Sequence, residues 1–105
     1  MGVRTANVQD GNIGRTIEGL AATIHARCEA SPEASYTAKL LQGEADGLLK
    51  KVIEEAGEVV MACKDDDHDH IRYEAGDLVY HLLVVLERYG VTIGELAGEL
   101  DARIK

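Results

Sequence analysis

The sequence predicts an all-α fold, an antiparallel bundle of about five helices. Apolar residues recur at intervals of three and four over most of the chain, which is the spacing of one helix face. Clusters of turn-forming residues are rare and Pro32 is the single proline, which disfavours short strands joined by tight turns. A chain of 105 residues has room for one domain with one core.

The composition argues against several classes of function. Four Tyr and no Phe or Trp mean that the core has to be aliphatic. The formal net charge of −8 disfavours nonspecific binding to nucleic acid or to anionic membranes, because both require a basic patch. No apolar run approaches the roughly 20 residues of a membrane span, and no signal peptide is recognisable. We expect a cytoplasmic protein in which Cys28 and Cys63 are reduced, buried thiols.

The chain divides into a tail and one domain. Residues 1–12 lack hydrophobic periodicity and are predicted to form a flexible N-terminal tail, whereas residues 13–105 form the single domain. Apolar residues from Ile13 onward predict a first helix that ends near Ala30. Pro32 stops this helix, because the residue before a proline is driven out of the helical backbone conformation.

A short second helix is predicted from Tyr36 to about Gln42. Ser35 precedes it and is suited to be its N-cap, because a serine hydroxyl can accept a hydrogen bond from an unpaired N–H of the first turn. Gly43 follows it and is suited to end it.

Two long amphipathic helices follow, joined by the acidic turn 65–70. The third helix should run from about Ala45 to Lys64 and the fourth from about Asp69 to Tyr89. Because the connection is short, we expect the two helices to be antiparallel neighbours. Gly90 ends the fourth helix, and the sequence TIGE at Thr92 is a capping box that opens a last helix.

The third helix carries three glutamates beside its apolar face. In KKVIEEAGEVV, residues 50–60, Glu54, Glu55 and Glu58 lie on one margin of that face, because residues three or four apart share a side of a helix. The predicted apolar face consists of Leu48, Leu49, Val52, Ile53, Ala56, Val59, Val60 and Cys63.

The fourth helix carries a matching acidic pair, Glu74 and Asp77, in EAGDLVYHL. In an antiparallel pair of helices, the two acidic margins can face each other across a groove. Facing carboxylates repel and are costly to bury unpaired, and a hard divalent cation such as Mg²⁺ would remove the conflict. The spacing alone leaves two interpretations open, one shared metal site or two solvated helix faces with ion pairs.

The turn DDDHDH matches no standard metal module. An EF-hand alignment lacks the required glycine and the final glutamate, and the set Cys63, His68, His70 and His81 has no standard zinc spacing. We expect the aspartates to cap the fourth helix, where negative charge suits the helix N-terminus. His81 lies on the acidic margin and is expected to pack or pair rather than to catalyse.

Three stretches of the chain carry a family resemblance: SYTAKLL (35–41), KKVIEEAGEVVMACKDDD (50–67) and YEAGDLVYHLLVVLERYGVTIGELAGEL (73–100). They resemble the phosphoribosyl-ATP pyrophosphohydrolases of histidine biosynthesis, which belong to the MazG-like all-α nucleotide pyrophosphohydrolases. The superfamily hallmark, EExxE followed by ExxD, marks the wider group. The SYTxxLL and DLxYHLLV patterns point to the histidine-pathway family.

The resemblance implies a reaction, a cofactor and an assembly. The reaction is hydrolysis of the α–β phosphoanhydride of phosphoribosyl-ATP, which gives phosphoribosyl-AMP and pyrophosphate with Mg²⁺. By this resemblance Glu55, Glu58, Glu74 and Asp77 would hold the metal, with Glu54 as an additional ligand or as the base that orients water. The family also implies a homodimer in which helices of two subunits complete the bundle.

Contacts to the small-molecule nucleotide substrate are expected from two groups of residues. Lys39, Lys50 and Lys51 would meet the phosphate charge, and Tyr36 and Thr37 would contact ribose or base. Lys51 is equally suited to an ion pair with the glutamates on its own face, and Tyr36 to core packing. Two other functions stay open. A house-cleaning pyrophosphatase for another nucleoside triphosphate would use the same carboxylates, whereas in a non-catalytic helical dimerisation module the acidic faces would only be solvated.

Overall fold

A computed structural model describes residues 7–104 and contains only helices and connecting turns over that range. The five helices are α1 (Ile13–Ala26), α2 (Tyr36–Gln42), α3 (Ala45–Lys64), α4 (His68–Arg88) and α5 (Ile93–Asp101). The prediction of an all-α fold with about five helices is thereby confirmed. Residues 7–12 precede the first helix, and residues 1–6 lie outside the described range, so the flexible tail stays a prediction.

Side-chain caps define the starts of four helices, among them α1, where Asn12 Oδ1 accepts a hydrogen bond from the Arg15 backbone N–H. Ser35 caps α2 as predicted, with its Oγ accepting a hydrogen bond from the Ala38 backbone N–H at 3.1 Å. Thr92 and Glu95 form the predicted capping box of α5, since each side chain accepts the other residue's backbone N–H. Asp67, in the acidic turn, caps α4 as expected by accepting a backbone N–H from three residues further on.

The first helix is shorter than predicted, because it ends at Ala26 rather than near Ala30. Ile24 is the one buried residue of α1, and the helix ends two residues after it. The chain continues instead through tight turns, in which the Cys28 backbone N–H donates to the His25 carbonyl oxygen at 3.2 Å. The ends of α4 differ from the prediction by one residue on each side.

The α3–α4 pair forms the centre of the fold, and α1 and α2 pack against α4. The short turn 65–67 joins the two long helices, which confirms that they are antiparallel neighbours. The core is aliphatic, as the composition predicts, and its buried cluster consists of Ile24, Leu48, Leu83 and Val84.

The buried side of α3 is displaced from the predicted apolar face towards the glutamates. Its fully buried residues are Leu48, Glu55 and Ala62, which are spaced by seven. Ile53 and Val60, on the far side of the predicted face, are 75% and 56% exposed. Helix α3 therefore packs on α4 through its acid-bearing side and leaves apolar residues uncovered in the single chain. We call these uncovered residues the α3 stripe: Leu49, Ile53 and Val60.

The prediction of two buried thiols is wrong for Cys63, which is exposed, whereas Cys28 is half-buried. Cys63 is exposed for the same reason as the α3 stripe, because the helix turns this side away from α4. Both cysteines are free, as predicted. None of the described helices is both long enough and apolar enough to cross a membrane.

Candidate active site

Three carboxylates from the two long helices meet in the interior. Glu55 and Glu58 lie one turn apart on α3, Glu74 lies on α4, and one oxygen of each lies within 4.8 Å of the others. Glu55 is only 5% exposed and Glu74 is fully buried. The side of α3 that faces α4 brings Glu55 and Glu58 together, because residues three apart share a helix face. The two acidic motifs of the sequence therefore contribute to one cluster.

Each of these carboxylates has a buried oxygen that no protein group pairs. Among residues 7–104, Glu55 Oε2, Glu58 Oε2 and Glu74 Oε1 are buried without a hydrogen-bond partner. Buried polar atoms are normally paired, since leaving one unpaired costs about 1–3 kcal/mol and more for a charged group. Three such oxygens side by side fit a bound cation, which would supply the missing positive partner.

The surroundings of the cluster favour protonated carboxyl groups in the absence of a cation. Burial raises the pKa of Glu55 to about 7, and the charges of Asp77 and Glu58 act in the same direction. Burial also raises the pKa of Glu74, and Glu58 adds to this effect, whereas the hydrogen bond from His70 opposes it. A divalent cation would remove the part of this rise that comes from repulsion between the carboxylates.

His70 holds one of the three carboxylates in place. Its Nε2 lies 2.9 Å from Glu74 Oε2, one turn back along α4. This leaves Glu74 Oε1 as the oxygen that faces the cluster without a partner. A histidine hydrogen-bonded to a ligand carboxylate fixes the orientation of that carboxylate. The sequence analysis did not assign His70 to the site, although the spacing of four residues from Glu74 on one helix could have indicated this contact.

His81 connects the cluster to the second helix. Its Nδ1 lies 2.9 Å from the Asp77 carbonyl oxygen, and since a carbonyl can only accept, this nitrogen carries the proton. The other ring nitrogen, Nε2, then accepts a hydrogen bond from the Tyr36 hydroxyl at 3.1 Å. His81 Nδ1 is also 3.9 Å from Glu55 Oε1. As expected, His81 is a packed and paired residue, and its bond orients Tyr36 beside the cluster.

Two predicted acidic residues lie outside the buried cluster. Glu54, the predicted catalytic residue, is exposed on α3. Asp77, the fourth predicted metal ligand, is half-buried, and no oxygen of it belongs to the group within 4.8 Å. Its carboxylate is nevertheless near enough for its charge to raise the pKa of Glu55. The structure therefore brings together three of the four predicted ligands and places the fourth beside them.

The two predicted ribose or base contacts of α2, Tyr36 and Thr37, lie against Tyr80 of α4. The Tyr36 ring is 52% exposed, so it is not a core residue, and it stacks on the Tyr80 ring with centroids 6.4 Å apart. The Thr37 hydroxyl shares a short hydrogen bond with the Tyr80 hydroxyl. The Tyr36 ring is therefore available to a ligand, whereas the Thr37 hydroxyl already has a protein partner.

The three predicted phosphate-binding lysines have no acidic partner in the described part of the chain. Lys39 and Lys50 are exposed, and Lys51 is half-buried. Burial raises the pKa of the Tyr36 hydroxyl, and the nearby charge of Lys51 opposes that rise. The ion pair of Lys51 with the glutamates of its own face, which the sequence left open, is absent among residues 7–104. The zinc set considered for the acidic turn does not assemble either, since neither Cys63 nor His68 belongs to a group of metal-ligating side chains there.

The fold and the site define a class, an all-helical protein with a buried carboxylate cluster between two facing helices. The family model described as "Phosphoribosyl-ATP pyrophosphohydrolase" matches residues 17–104. The chain therefore belongs to this family, which confirms the resemblance carried by the three sequence stretches.

Similar proteins have consistent names. A protein of Nitrosomonas eutropha named "Phosphoribosyl-ATP pyrophosphatase" is 45% identical over 83% of this chain and 74% of the relative. A protein of Methylibium petroleiphilum with the same name is 47% identical over 84% of this chain and 73% of the relative. A protein of Thermus thermophilus named "Histidine biosynthesis bifunctional protein HisIE" is 40% identical over 88% of this chain but only 43% of the relative.

Proposed function

We propose that this chain hydrolyses phosphoribosyl-ATP to phosphoribosyl-AMP and pyrophosphate, as a step of histidine biosynthesis, with Mg²⁺ at the carboxylate cluster. The family and the names of the relatives support the substrate and the pathway. The single observation that supports the site is the set of three unpaired buried oxygens, on Glu55, Glu58 and Glu74. A non-catalytic module with solvated acidic faces would have no reason to bury them.

The donor set fits a hard divalent cation. All three groups offer carboxylate oxygens, which Mg²⁺ prefers, and Asp77 adds a fourth carboxylate nearby. Glu55, Glu58, Glu74 and Asp77 are the residues proposed to hold the ion. When bound, Mg²⁺ would neutralise charge on the phosphate oxygens and make a bound water more acidic.

The remaining residues would position the substrate and handle the proton. In the hydrolysis, a water oxygen bonds to phosphorus, the bridging P–O bond breaks, and pyrophosphate leaves. Glu54 is the proposed base, because it lies one turn before Glu58 on α3 and its exposed carboxylate can orient the water and accept its proton. The ammonium groups of Lys39, Lys50 and Lys51, which pair with no carboxylate among residues 7–104, would meet the negative charge of the phosphates.

Two residues of α2 are proposed to contact the nucleoside part of the substrate. The Tyr36 ring is half exposed and is held in orientation by His81, so it can stack on a base or cover a ribose. Thr37 would contact the substrate through its backbone or by exchanging its bond to Tyr80. Binding energy from these contacts would orient the anhydride over the carboxylates.

The proposal includes a homodimer. The α3 stripe exposes Leu49, Ile53 and Val60 on the helix that carries the carboxylates, and exposed apolar residues in a row are typical of an interface. A second copy placed on the stripe would complete a bundle around the α3–α4 pair. The cytoplasmic location expected from the sequence remains part of the proposal, and the two free thiols agree with it.

The test is pyrophosphate release from phosphoribosyl-ATP, with Mg²⁺ and with a chelator, and with ATP and dUTP in parallel. We expect rapid, Mg²⁺-dependent release from phosphoribosyl-ATP alone. Glu58→Gln should abolish it, whereas Glu18→Gln, which changes an exposed glutamate of α1, should leave it intact. Release mainly from ATP or dUTP would keep the site and reject the substrate. No release from folded protein on any of the three would reject the activity.

A further inference from the structure

A second group of metal-ligating side chains lies between α1 and α4, outside the carboxylate cluster. It consists of His25 in the last turn of α1, Cys28 just beyond that helix and Glu87 near the end of α4. The His25 Nδ1 atom, the Cys28 Sγ atom and one oxygen of Glu87 all lie within 4.8 Å of one another. The proposed hydrolysis uses none of these residues.

The spacing of the three atoms is close to that of ligands around one small ion. Glu87 Oε2 lies 3.0 Å from His25 Nδ1 and 3.4 Å from Cys28 Sγ. Around a tetrahedral Zn²⁺ with bonds of about 2.0–2.3 Å, a nitrogen and an oxygen ligand are about 3.3 Å apart, and a sulfur and an oxygen ligand about 3.5 Å apart. Small side-chain movements would therefore be enough to place all three atoms on an ion.

The backbone already holds these residues in register. The turn after α1, with its bond from the Cys28 N–H to the His25 carbonyl, places residues three apart on the same side of the chain. Packing of α1 on α4 brings Glu87 to the same place. The cluster is also open to ions from solvent, because the side chain of His25 is 76% exposed and that of Glu87 is 25% exposed.

The charges around the thiol favour a cation. Burial raises the pKa of Cys28, and the hydrogen bond and the charge of Glu87 and the charge of Glu29 raise it further. The thiol donates its proton in a hydrogen bond to Glu87 Oε2 at 3.4 Å. A divalent cation would replace this proton and balance the surrounding negative charge, so its binding would release a proton.

We propose that His25, Cys28 and Glu87 form a binding site for a borderline-soft divalent transition-metal ion such as Zn²⁺, with water completing the coordination. A mixed set of one imidazole, one thiolate and one carboxylate suits Zn²⁺ and Co²⁺ and does not suit Mg²⁺, which requires oxygen ligands. The chain thus has two metal sites of different chemistry, the all-oxygen cluster between α3 and α4 and this mixed site between α1 and α4.

The experiment is a titration of the purified full chain with Co²⁺ in the presence of excess Mg²⁺, which occupies oxygen-only sites. We expect one Co²⁺ per chain with a near-ultraviolet thiolate-to-cobalt charge-transfer band, and displacement of that Co²⁺ by Zn²⁺. Cys28→Ser should remove the band, and His25→Ala should weaken Co²⁺ binding by at least about tenfold, since losing even an outer hydrogen-bond partner of a metal ligand costs that much.

The matched control is Cys63→Ser, which changes the exposed free thiol outside the group and should leave both the band and the affinity unchanged. The circular dichroism spectrum and the melting temperature of each metal-free variant show whether it is folded. We expect Cys28→Ser to fold, because Cys28 is only half-buried. A wild-type chain that binds Co²⁺ without a thiolate band would overturn the proposal. Loss of the band in Cys63→Ser rather than in Cys28→Ser would also overturn it.

Discussion

Glu55 occupies a position of α3 where packing alone would favour an apolar residue. It lies between Leu48 and Ala62 on the buried side of the helix, and both of its neighbours at that spacing are apolar. A buried carboxylate with an unpaired oxygen destabilises the fold unless a partner neutralises it. The residue is therefore placed for function at a cost in stability, as is common at active sites.

Replacing Glu55 by glutamine should separate stability from activity. At about pH 8 and without metal, where Glu55 is mainly ionised, Glu55→Gln removes a buried charge that is repelled by Asp77 and Glu58, so the free energy of unfolding should rise by about 1–3 kcal/mol. In a chain of this size, that change raises the melting temperature by several degrees. Pyrophosphate release should fall by more than about a hundredfold, because a proposed ligand is lost.

The control for this variant is Glu18→Gln, which changes an exposed glutamate on α1 and should alter neither quantity. Melting curves with a chelator, recorded at one protein concentration, and activity assays with Mg²⁺ provide the comparison. A metal-free Glu55→Gln protein that is less stable than the wild type would show that this carboxylate has a structural partner, and the site would need another explanation.

At the scale of one element, α3 has two sides with different roles. The acid-bearing side packs on α4, while the α3 stripe stays exposed, with Ile53 at 75%. In a monomer the exposed stripe contributes nothing to stability. A partner that covered it would stabilise the complex by about 25 cal/mol per Å² of apolar surface removed from water. A partner that covers the stripe would explain why the helix is apolar over a wider arc than α4 can cover.

A charge placed on the α3 stripe should prevent dimerisation. We expect Ile53→Lys to shift the protein from dimer to monomer, because an ammonium group cannot be buried unpaired in an apolar interface. Light scattering coupled to size-exclusion chromatography measures the mass directly. Ile13→Lys makes the same chemical change at an isoleucine of α1 that is 77% exposed, and this variant should remain a dimer.

Two results would contradict the assignment of the stripe. A wild-type chain that is monomeric at micromolar concentration would leave the stripe without the proposed partner. A dimer that dissociates in Ile13→Lys but not in Ile53→Lys would place the interface at α1 instead.

At the scale of the whole molecule, the buried acids connect stability to pH and to metal. The pKa of Glu55 is raised from 4.5 to about 7 in the folded chain, so between these values the folded state holds a proton that the unfolded state has lost. The metal-free free energy of unfolding should therefore fall as pH rises from about 4.5 to about 7, at up to about 1.4 kcal/mol per pH unit for this group. Glu74, whose pKa is also raised, acts with the same sign.

Urea unfolding at about pH 5.5 and about pH 8, with a chelator and with Mg²⁺, measures this dependence. Mg²⁺ should restore stability most at the higher pH, because ligand carboxylates have to be deprotonated to bind it. Glu55→Gln should flatten the metal-free profile, which separates this group from the general effect of a net charge of −8. A metal-free stability that rises between these pH values would contradict the assignment.

The sequence predicts elements better than it predicts which side of each element is buried. Helix starts at Ser35 and Thr92 depend on a few neighbouring residues, and both are confirmed. The buried side of α3 depends on what α4 offers, and there the apolar pattern pointed away from Glu55.

The site shows the same limit. Glu55, Glu58 and Glu74 are predictable because their motifs lie on two helices joined by a short turn. The contact of His25 and Cys28 with Glu87 is not predictable from the sequence, because no local pattern specifies which residue of a distant helix packs beside them.

The last helix differs from the other four, because none of its described residues is buried. Only Ile93 packs against the core cluster, and the capping box at Thr92 stabilises the helix locally. In the single chain, α5 can thus come away from the bundle while uncovering only the part of the core beneath Ile93, and we expect this local opening to cost less free energy than global unfolding. Its backbone amides would then exchange with deuterated solvent well before those of α3 and α4, while the carboxylate cluster stays intact. A change in α5 should therefore disturb the carboxylate cluster little.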